Sequence, residues 1–376
     1  VIFTSQYNIV ILGLTITSSW GNGHATTYRG LARELAAKGH RVLFLERDMP
    51  WYASHRDLTS SNYVKTCLYR SINELKDCYA DIIKKADFVI VGSYVPDGIE
   101  VGEWVITASQ GITAFYDIDT PVTMTKIQRK QCFYLKAELI PMYDMYLSFA
   151  GGPILDIIES VYGSPMARPL FCSVDPEMYH VKKTDMTYDL GYMGTYSSDR
   201  QDGLNNLLLH PAALWKSGKF IVAGPQYPES IVWPENVKHI DHIAPPDHSD
   251  FYCSQRFTLN LTRSDMIKSG YAPSVRLFEA AACGTPIISD IWEGLDSIFE
   301  LGEEILIASS PEHIVQYIKD LPEDERRCIG ERARKRILQE HTATHRALQL
   351  ETYYKEALHS RRQFCSAPER EFLKGI

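Results

Sequence analysis

Asn8-Ile9-Val10-Ile11-Leu12-Gly13, Thr17-Ser18-Ser19-Trp20-Gly21-Asn22-Gly23-His24 and Arg41-Val42-Leu43-Phe44-Leu45-Glu46 decide the fold. The first run is almost wholly apolar, as a strand buried on both faces must be. The second is a polar, glycine-rich turn. Beyond it Tyr28, Leu31, Ala32 and Leu35 recur at i, i+3, i+4 and i+7, which predicts a helix stopped near Gly39. The third run is again a buried strand. Strand, helix and strand in that order make a βαβ unit with parallel strands and a right-handed crossover.

Working outward, further strands are predicted at Phe88-Val89-Ile90-Val91, Ile112 to Tyr116 and Met145 to Phe149. Around Cys172-Ser173-Val174-Asp175-Pro176 the texture turns polar, with a connector from Tyr179 to Asp185. The alternation then restarts, with strands expected at Tyr188 to Met193, Phe220 to Ala223, Val237 to Ile240, Phe257 to Leu261, Pro286 to Ser289 and Glu304 to Ile307. The fold class expected is therefore α/β, with two Rossmann-like lobes facing across a cleft, residues 1–175 and 176–341. Ligands of such sheets lie at the carboxyl ends of the strands, so the loops there are the place to look.

The chain has 376 residues, room for two domains. Its 39 Lys and Arg against 47 Asp and Glu give a net charge of −8, which argues against a general nucleic-acid binder. No apolar run approaches the roughly 18 residues of a membrane span, and no signal-peptide pattern is present. The eight cysteines, Cys365 among them, are scattered without the close pairs of a zinc site, which suggests reduced thiols and a cytoplasmic protein.

Three loops can carry chemistry. Gly21, Asn22 and Gly23 allow a ligand to approach backbone, and His24 opens the helix behind them. With Glu46 ending the second strand, this loop also admits a dinucleotide site, although the third glycine of that fingerprint is missing. Asp117-Ile118-Asp119 ends a predicted strand; if the strand continues, both carboxylates share a face, suiting a substrate or a metal, while the Thr-Pro that follows equally suits a turn.

The third loop is the densest. Arg263 ends a strand, a flexible loop follows, and a helix begins near Pro273-Ser274-Val275. Free amides there, with Arg263 and either Lys268 or Arg276, make a diphosphate cradle that needs no metal. Glu279 can grip vicinal ribose hydroxyls; alternatively Arg276 and Glu279 form a surface i, i+3 ion pair. Gly194, Thr195 and Arg200 follow the first strand of the second lobe, and Gly151-Gly152-Pro153 ends the last sheet strand of the first.

Arg276-Leu277-Phe278-Glu279-Ala280-Ala281-Ala282-Cys283-Gly284-Thr285-Pro286, continued by Ile288-Ser289-Asp290, Gly294-Leu295, Phe299-Glu300, Gly302-Glu303-Glu304-Ile305-Leu306, His341-Thr342 and His345-Arg346, resembles the nucleotide-binding half of GT-B glycosyltransferases. The spore-maturation-protein (CgeB-like) enzymes are the nearest in pattern, over residues 186–350. The resemblance implies a nucleotide sugar in the second lobe, a UDP-sugar first, an acceptor in the first lobe, and C-terminal helices 342–376 returning to the first lobe. It places Glu279 on the ribose, Arg263 with the amides near Ser274 and Val275 on the diphosphate, and the loop Ile240 to Pro245, Ile243 included, on the base. One departure stands out: where retaining members carry E-x7-E, the first position is Tyr271, a residue otherwise expected to meet donor sugar or acceptor.

The function expected is a metal-independent glycosyltransferase of hexosyltransferase type, with no cofactor beyond its nucleotide-sugar co-substrate. Its partners are that donor and an unidentified acceptor, with neither nucleic acid nor integral membrane association. Arg263 would stabilise the leaving diphosphate, and His24, Asp117 and Asp119 are candidate bases. The alternatives are a nucleotide-sugar epimerase of the same fold, a non-catalytic nucleotide- or carbohydrate-binding assembly protein, and, last, an NAD-dependent oxidoreductase.

Overall fold

The computed structural model describes residues 6–366, with side chains to 363. The side chain of Cys365 and the end of the C-terminal segment lie outside the described residues.

Seven strands form the first sheet: β1 Asn8–Gly13, β2 Arg41–Arg47, β3 Lys65–Tyr69, β4 Phe88–Gly92, β5 Ile112–Asp117, β6 Met145–Ser148 and β7 Ala167–Pro169. Six form the second: β8 Tyr188–Met193, β9 Phe220–Ala223, β10 Val237–Ile240, β11 Gln255–Asn260, β12 Ile287–Ser289 and β13 Leu306–Ile307. Both sheets are parallel throughout, in orders β3-β2-β1-β4-β5-β6-β7 and β10-β9-β8-β11-β12-β13. Each order reverses beside its first strand, so each lobe has a crevice at the carboxyl ends of β1 and β4, or of β8 and β11.

The central strands are apolar because helices cover both faces. Val10, Ile11 and Leu12 are buried, as are Val89, Ile90 and Val91. Fully burying each such side chain contributes about 1.5–3 kcal/mol. The helix His24–Ala37 buries Tyr28, Leu31, Ala32 and Leu35 against this sheet and ends at Lys38 and Gly39, the latter at φ +92°. Strands β3 and β7, absent from the sequence reading, are the two edges of the first sheet. An edge strand is covered less completely, and β7 is three residues ending in a proline, so neither shows an apolar run.

Helix Ala343–Ser366 packs on helix His24–Ala37 and reaches β5. His40 Nε2 meets Glu351 Oε1 at 2.7 Å, and Thr344 donates to Glu34 at 2.8 Å. Where the chain crosses between lobes, Val174 bridges Thr342, and the buried Arg346 donates to the Phe171 carbonyl at 3.0 Å. Among the described residues no helix is long and apolar enough to cross a membrane, and Cys67, Cys78, Cys132, Cys172, Cys253, Cys283 and Cys328 are free thiols.

Candidate functional site

A cavity of about 490 Å³ lies between the carboxyl ends of the two sheets. Gly21, Asn22, Gly23 and His24 line it from the first lobe. Gly21 holds φ +61°, and a Cβ on Gly23 would stand 3.1 Å from Val275 Cγ1, so the glycines bring the lobes together. Asn22 Oδ1 accepts from the His24 amide at 2.9 Å and tethers the start of the helix. The His24 ring edges on Phe149 at 5.6 Å, and its buried Nδ1 has no partner. Burial lowers its pKa, Asp119 opposes that and Arg263 adds to it, so the imidazole is neutral at pH 7.

Glu46 does not serve a dinucleotide. It is fully buried, and its carboxylate accepts from the Ile16 amide at 2.7 Å and from the Thr17 amide and both Thr15 and Thr17 hydroxyls at 2.6–3.0 Å. Its task is to hold the turn after β1.

The two aspartates after β5 part company. The strand ends at Asp117, so the side chains do not alternate onto one face. Asp117 is fully buried and is not part of the cavity wall. Its carboxylate accepts from Tyr146 Oη at 2.5 Å, Thr123 Oγ1 at 2.8 Å and the Asp119 amide at 3.1 Å. Burial pushes its pKa up to about 6, against the pull of those bonds. This corrects the expectation that Asp117 is a base or half of a metal pair: it braces the turn. Asp119 faces the cleft, where its Oδ2 accepts from Tyr94 Oη at 2.8 Å and from Arg263 Nη1 at 3.0 Å. Among the described residues no group of three or more His, Cys, Asp or Glu side chains is placed to hold a metal ion.

The second lobe supplies the opposite wall. Arg263 precedes helix Ser264–Ser269, which replaces the expected flexible loop, and its Nε lies 3.5 Å from Asp199 Oδ2. Lys268 is exposed and stands outside the cavity. Ser274 and Val275 line it at the start of helix Val275–Ala282, with Ser274 Oγ donating to Asn260 Oδ1 at 2.8 Å rather than capping its own helix.

Arg276 and Glu279 are both buried and do not pair, so the surface ion pair is not formed. The Arg276 guanidinium lies 4.6 Å over the Tyr192 ring, donates to Asn260 Oδ1 at 2.9 Å and also to the Met193 carbonyl. It thereby pins the end of β8 to the helix. A Cβ on Gly194 would stand 2.6 Å from Tyr192 Oη and 2.8 Å from Arg276 Nη2, so a larger residue there would push this stacked pair aside. Thr195 presents its carbonyl to Arg200 Nη2 at 2.6 Å. Glu279 accepts from Tyr252 Oη at 3.1 Å and lies 3.5 Å from Thr26 Oγ1 of the first lobe. Gly194, Thr195, Arg200, Ile243, Arg276 and Glu279 all line the cavity.

Tyr271 is the other correction. It is not in the cavity wall. A Cβ on Gly152 would meet its Cδ2 at 2.3 Å and one on Gly294 its Cδ1 at 2.3 Å, so the ring is wedged between glycines of the two lobes. Its carbonyl accepts from the Gly151 amide at 2.9 Å, and its own φ is +51°. The wedge keeps the side chain out of the cavity wall. His242 joins the wall from the loop expected to meet the base, and Tyr94, Tyr252, Phe149 and His248 join it without having been foreseen. Of these four, Tyr94, just past β4, and Phe149, just past β6, carried a positional signal at the carboxyl end of a strand.

Two parallel sheets of this order facing one another across a cleft define the GT-B fold. Residues 200–352 match a family model described as glycosyl transferase-like. Sucrose-phosphate synthase from Thermosynechococcus elongatus superposes with a TM-score of 0.68 at 14% identity, covering 94% of this chain and 100% of that one. Anabaena HepE in complex with UDP and glucose gives 0.70 at 11%, covering 93% and 100%. An alpha-glucosyltransferase in complex with UDP-glucose and DNA containing an abasic site gives 0.69 at 11%, again 93% and 100%. At such identities the likeness is one of fold. No curated protein sequence matches the chain.

Proposed function

We propose that the protein is a glycosyltransferase taking its sugar from a nucleoside-diphosphate donor, a UDP-sugar first, and passing it to an acceptor hydroxyl. The observation that carries this reading is the convergence of Arg263, the open end of helix Val275–Ala282 and the buried Glu279 on one wall, opposite Asp119 and His24. HepE and the alpha-glucosyltransferase, alike in fold, were solved with UDP. The sequence pattern narrows the class toward the CgeB-like enzymes.

Breaking the sugar–phosphate bond leaves charge on the diphosphate and an oxocarbenium-like sugar. Arg263 and the amides at the helix start meet that charge without a metal ion, already oriented before the reaction. Glu279, held by Tyr252, accepts hydrogen bonds from ribose hydroxyls. On the acceptor side His24 is neutral, with a nitrogen free to take a proton, and Asp119 is the only one of the two aspartates that reaches the cleft. In an inverting reaction one of these deprotonates the acceptor; in a retaining reaction the leaving diphosphate takes the proton itself.

Arg263→Ala and Glu279→Ala, assayed separately with a panel of nucleotide sugars, test this reading. Near-normal turnover in both variants contradicts it. One observation favours a second reading: with Tyr271 wedged between the lobes, the cavity lacks the carboxylate that retaining relatives offer the sugar. A protein that binds donor without transfer to any acceptor or to water is a binding module.

A further inference from the structure

Cys253 and Cys283, thirty residues apart in sequence, meet behind the donor wall. Cys253 ends the short helix His248–Cys253, and Cys283 follows directly on helix Val275–Ala282. The Sγ of Cys253 lies 3.6 Å from the Cys283 carbonyl oxygen. The Sγ of Cys283 lies 3.6 Å from Ser249 Oγ, one turn before Cys253 on the same helix. The Cys283 side chain is thus laid along the helix face that carries Cys253, and the two sulfurs adjoin.

The two thiols differ in kind. Cys283 is buried, whereas Cys253 is partly exposed, and the Lys182 amide donates to its Sγ at 3.3 Å. The Cys283 thiol, donating to the same sulfur, holds the Cys253 pKa down to about 7, against burial and with the Lys182 amide assisting. That contact and burial push Cys283 upward. An accessible, substantially ionised sulfur therefore stands against a protonated one, which is the pairing of an oxidant-sensitive thiolate with its resolving thiol.

We propose that Cys253 and Cys283 are a peroxide-oxidised dithiol, in which Cys253 takes the oxidant, Cys283 closes the disulfide, and the cross-link loosens the donor wall. The thiolate attacks one oxygen of hydrogen peroxide, the O–O bond breaks, and the departing hydroxide takes a proton to become water. The peroxide gains two electrons and Cys253 becomes a sulfenic acid. The Cys283 sulfur then attacks the sulfenic sulfur. An S–S bond forms, the S–O bond breaks, and the Cys283 proton leaves with the hydroxide as a second water. With the thiolate consumed, its hold on that proton is gone.

Tyr252 and Cys253 are neighbours in the chain, and Cys283 stands one turn beyond Glu279. The cross-link therefore joins the two helices that the 3.1 Å hydrogen bond from Tyr252 to Glu279 also joins. Drawing the sulfurs to the about 2 Å of a disulfide turns the end of the short helix and takes Tyr252 off the carboxylate. This last effect rests on the donor-site reading above; the dithiol does not.

The test treats the reduced full chain with hydrogen peroxide and maps its thiols by mass spectrometry. UDP binding is measured by calorimetry before oxidation, after it, and after reduction with dithiothreitol. The wild type forms an intramolecular Cys253–Cys283 disulfide before the exposed Cys78 and Cys328 react. UDP then binds about tenfold weaker, and reduction restores it. In Cys283→Ser, Cys253 stops at a sulfenic acid that dimedone traps; in Cys253→Ser, Cys283 stays a thiol and peroxide no longer alters UDP binding. Oxidation of Cys78 or Cys328 ahead of Cys253, or a wild-type Cys253 adduct without the disulfide, overturns the dithiol whether or not the variants fold. A disulfide that leaves UDP affinity unchanged overturns its effect on the donor wall. A reduced wild-type protein that binds no UDP refutes the donor-site reading, and the thiol map then judges the dithiol alone.

Discussion

Arg263 Nη1 of the second lobe stands 3.0 Å from Asp119 Oδ2 of the first. The cation proposed to receive the donor diphosphate is therefore held by a carboxylate of the first lobe. The arginine side chain is 31% exposed, so solvent screens the pair, and it contributes on the order of 1 kcal/mol or less. A diphosphate, with more charge and more acceptor oxygens, displaces Asp119 readily. Under the proposed function, donor binding would do two things at once: occupy Arg263 and release Asp119 toward the acceptor.

The exchange predicts opposite effects from its two partners. Asp119→Asn removes the competitor, so UDP binds a few-fold tighter while turnover falls. Arg263→Ala weakens UDP and costs on the order of 2–4 kcal/mol in kcat/KM. Titration and steady-state kinetics separate the two. Equal changes of the same sign contradict the exchange.

Asp117 predicts a stability effect rather than a catalytic one. Its folded pKa of about 6 lies above the unfolded value of 3.8, so the folded chain binds the extra proton between those limits. The stability linked to that proton is fully present below pH 3.8 and is lost as pH rises through 6, by about 3 kcal/mol. Thermal unfolding of wild type and Asp117→Asn from pH 4 to 7 should show the wild type losing ground as pH rises. A constant difference between them contradicts this.

The Tyr271 wedge predicts that restoring the missing glutamate fails. Tyr271→Glu places a charge between Gly152 and Gly294, away from the cavity, so turnover does not rise and the melting temperature drops. Gly152→Ala, at φ +67° and with Tyr271 Cδ2 2.3 Å from the added Cβ, loses about 1–3 kcal/mol in chemical denaturation. A faster Tyr271→Glu enzyme means the ring is not where it matters.

His24 predicts an acid limb at low pH. Its folded pKa lies below 6.5, so the neutral ring persists as pH falls past that value, and the acid limb of kcat/KM lies below 6.5. The same depression means that stability is lost as pH drops from 6.5 toward the folded pKa, because the unfolded chain takes the proton first. His24→Asn removes both dependences. An acid limb centred on 6.5 contradicts a buried neutral base.

Much of this was legible in the sequence because parallel strands covered on both faces spell continuous apolar runs, as Asn8–Gly13 and Phe88–Gly92 do. The edges β3 and β7 lack that pattern and were not. Glycine loops and the Arg263–Glu279 segment marked the walls of the cleft because they sit at strand ends. The roles of single carboxylates were harder: whether Asp117 or Asp119 turns outward depends on where β5 stops, and alternation does not say. Tyr252 and His248 lie on a six-residue helix without periodicity, and only packing brings them to Glu279 and Ile243.

The most direct measurement is binding of UDP, GDP, TDP, ADP and NAD to the wild-type protein, by calorimetry, in EDTA and again with magnesium. The donor site described here predicts that UDP binds equally well in both, that NAD does not bind, and that Arg263→Ala loses the UDP signal. Binding of NAD alone, or of no nucleoside diphosphate under either condition, contradicts it.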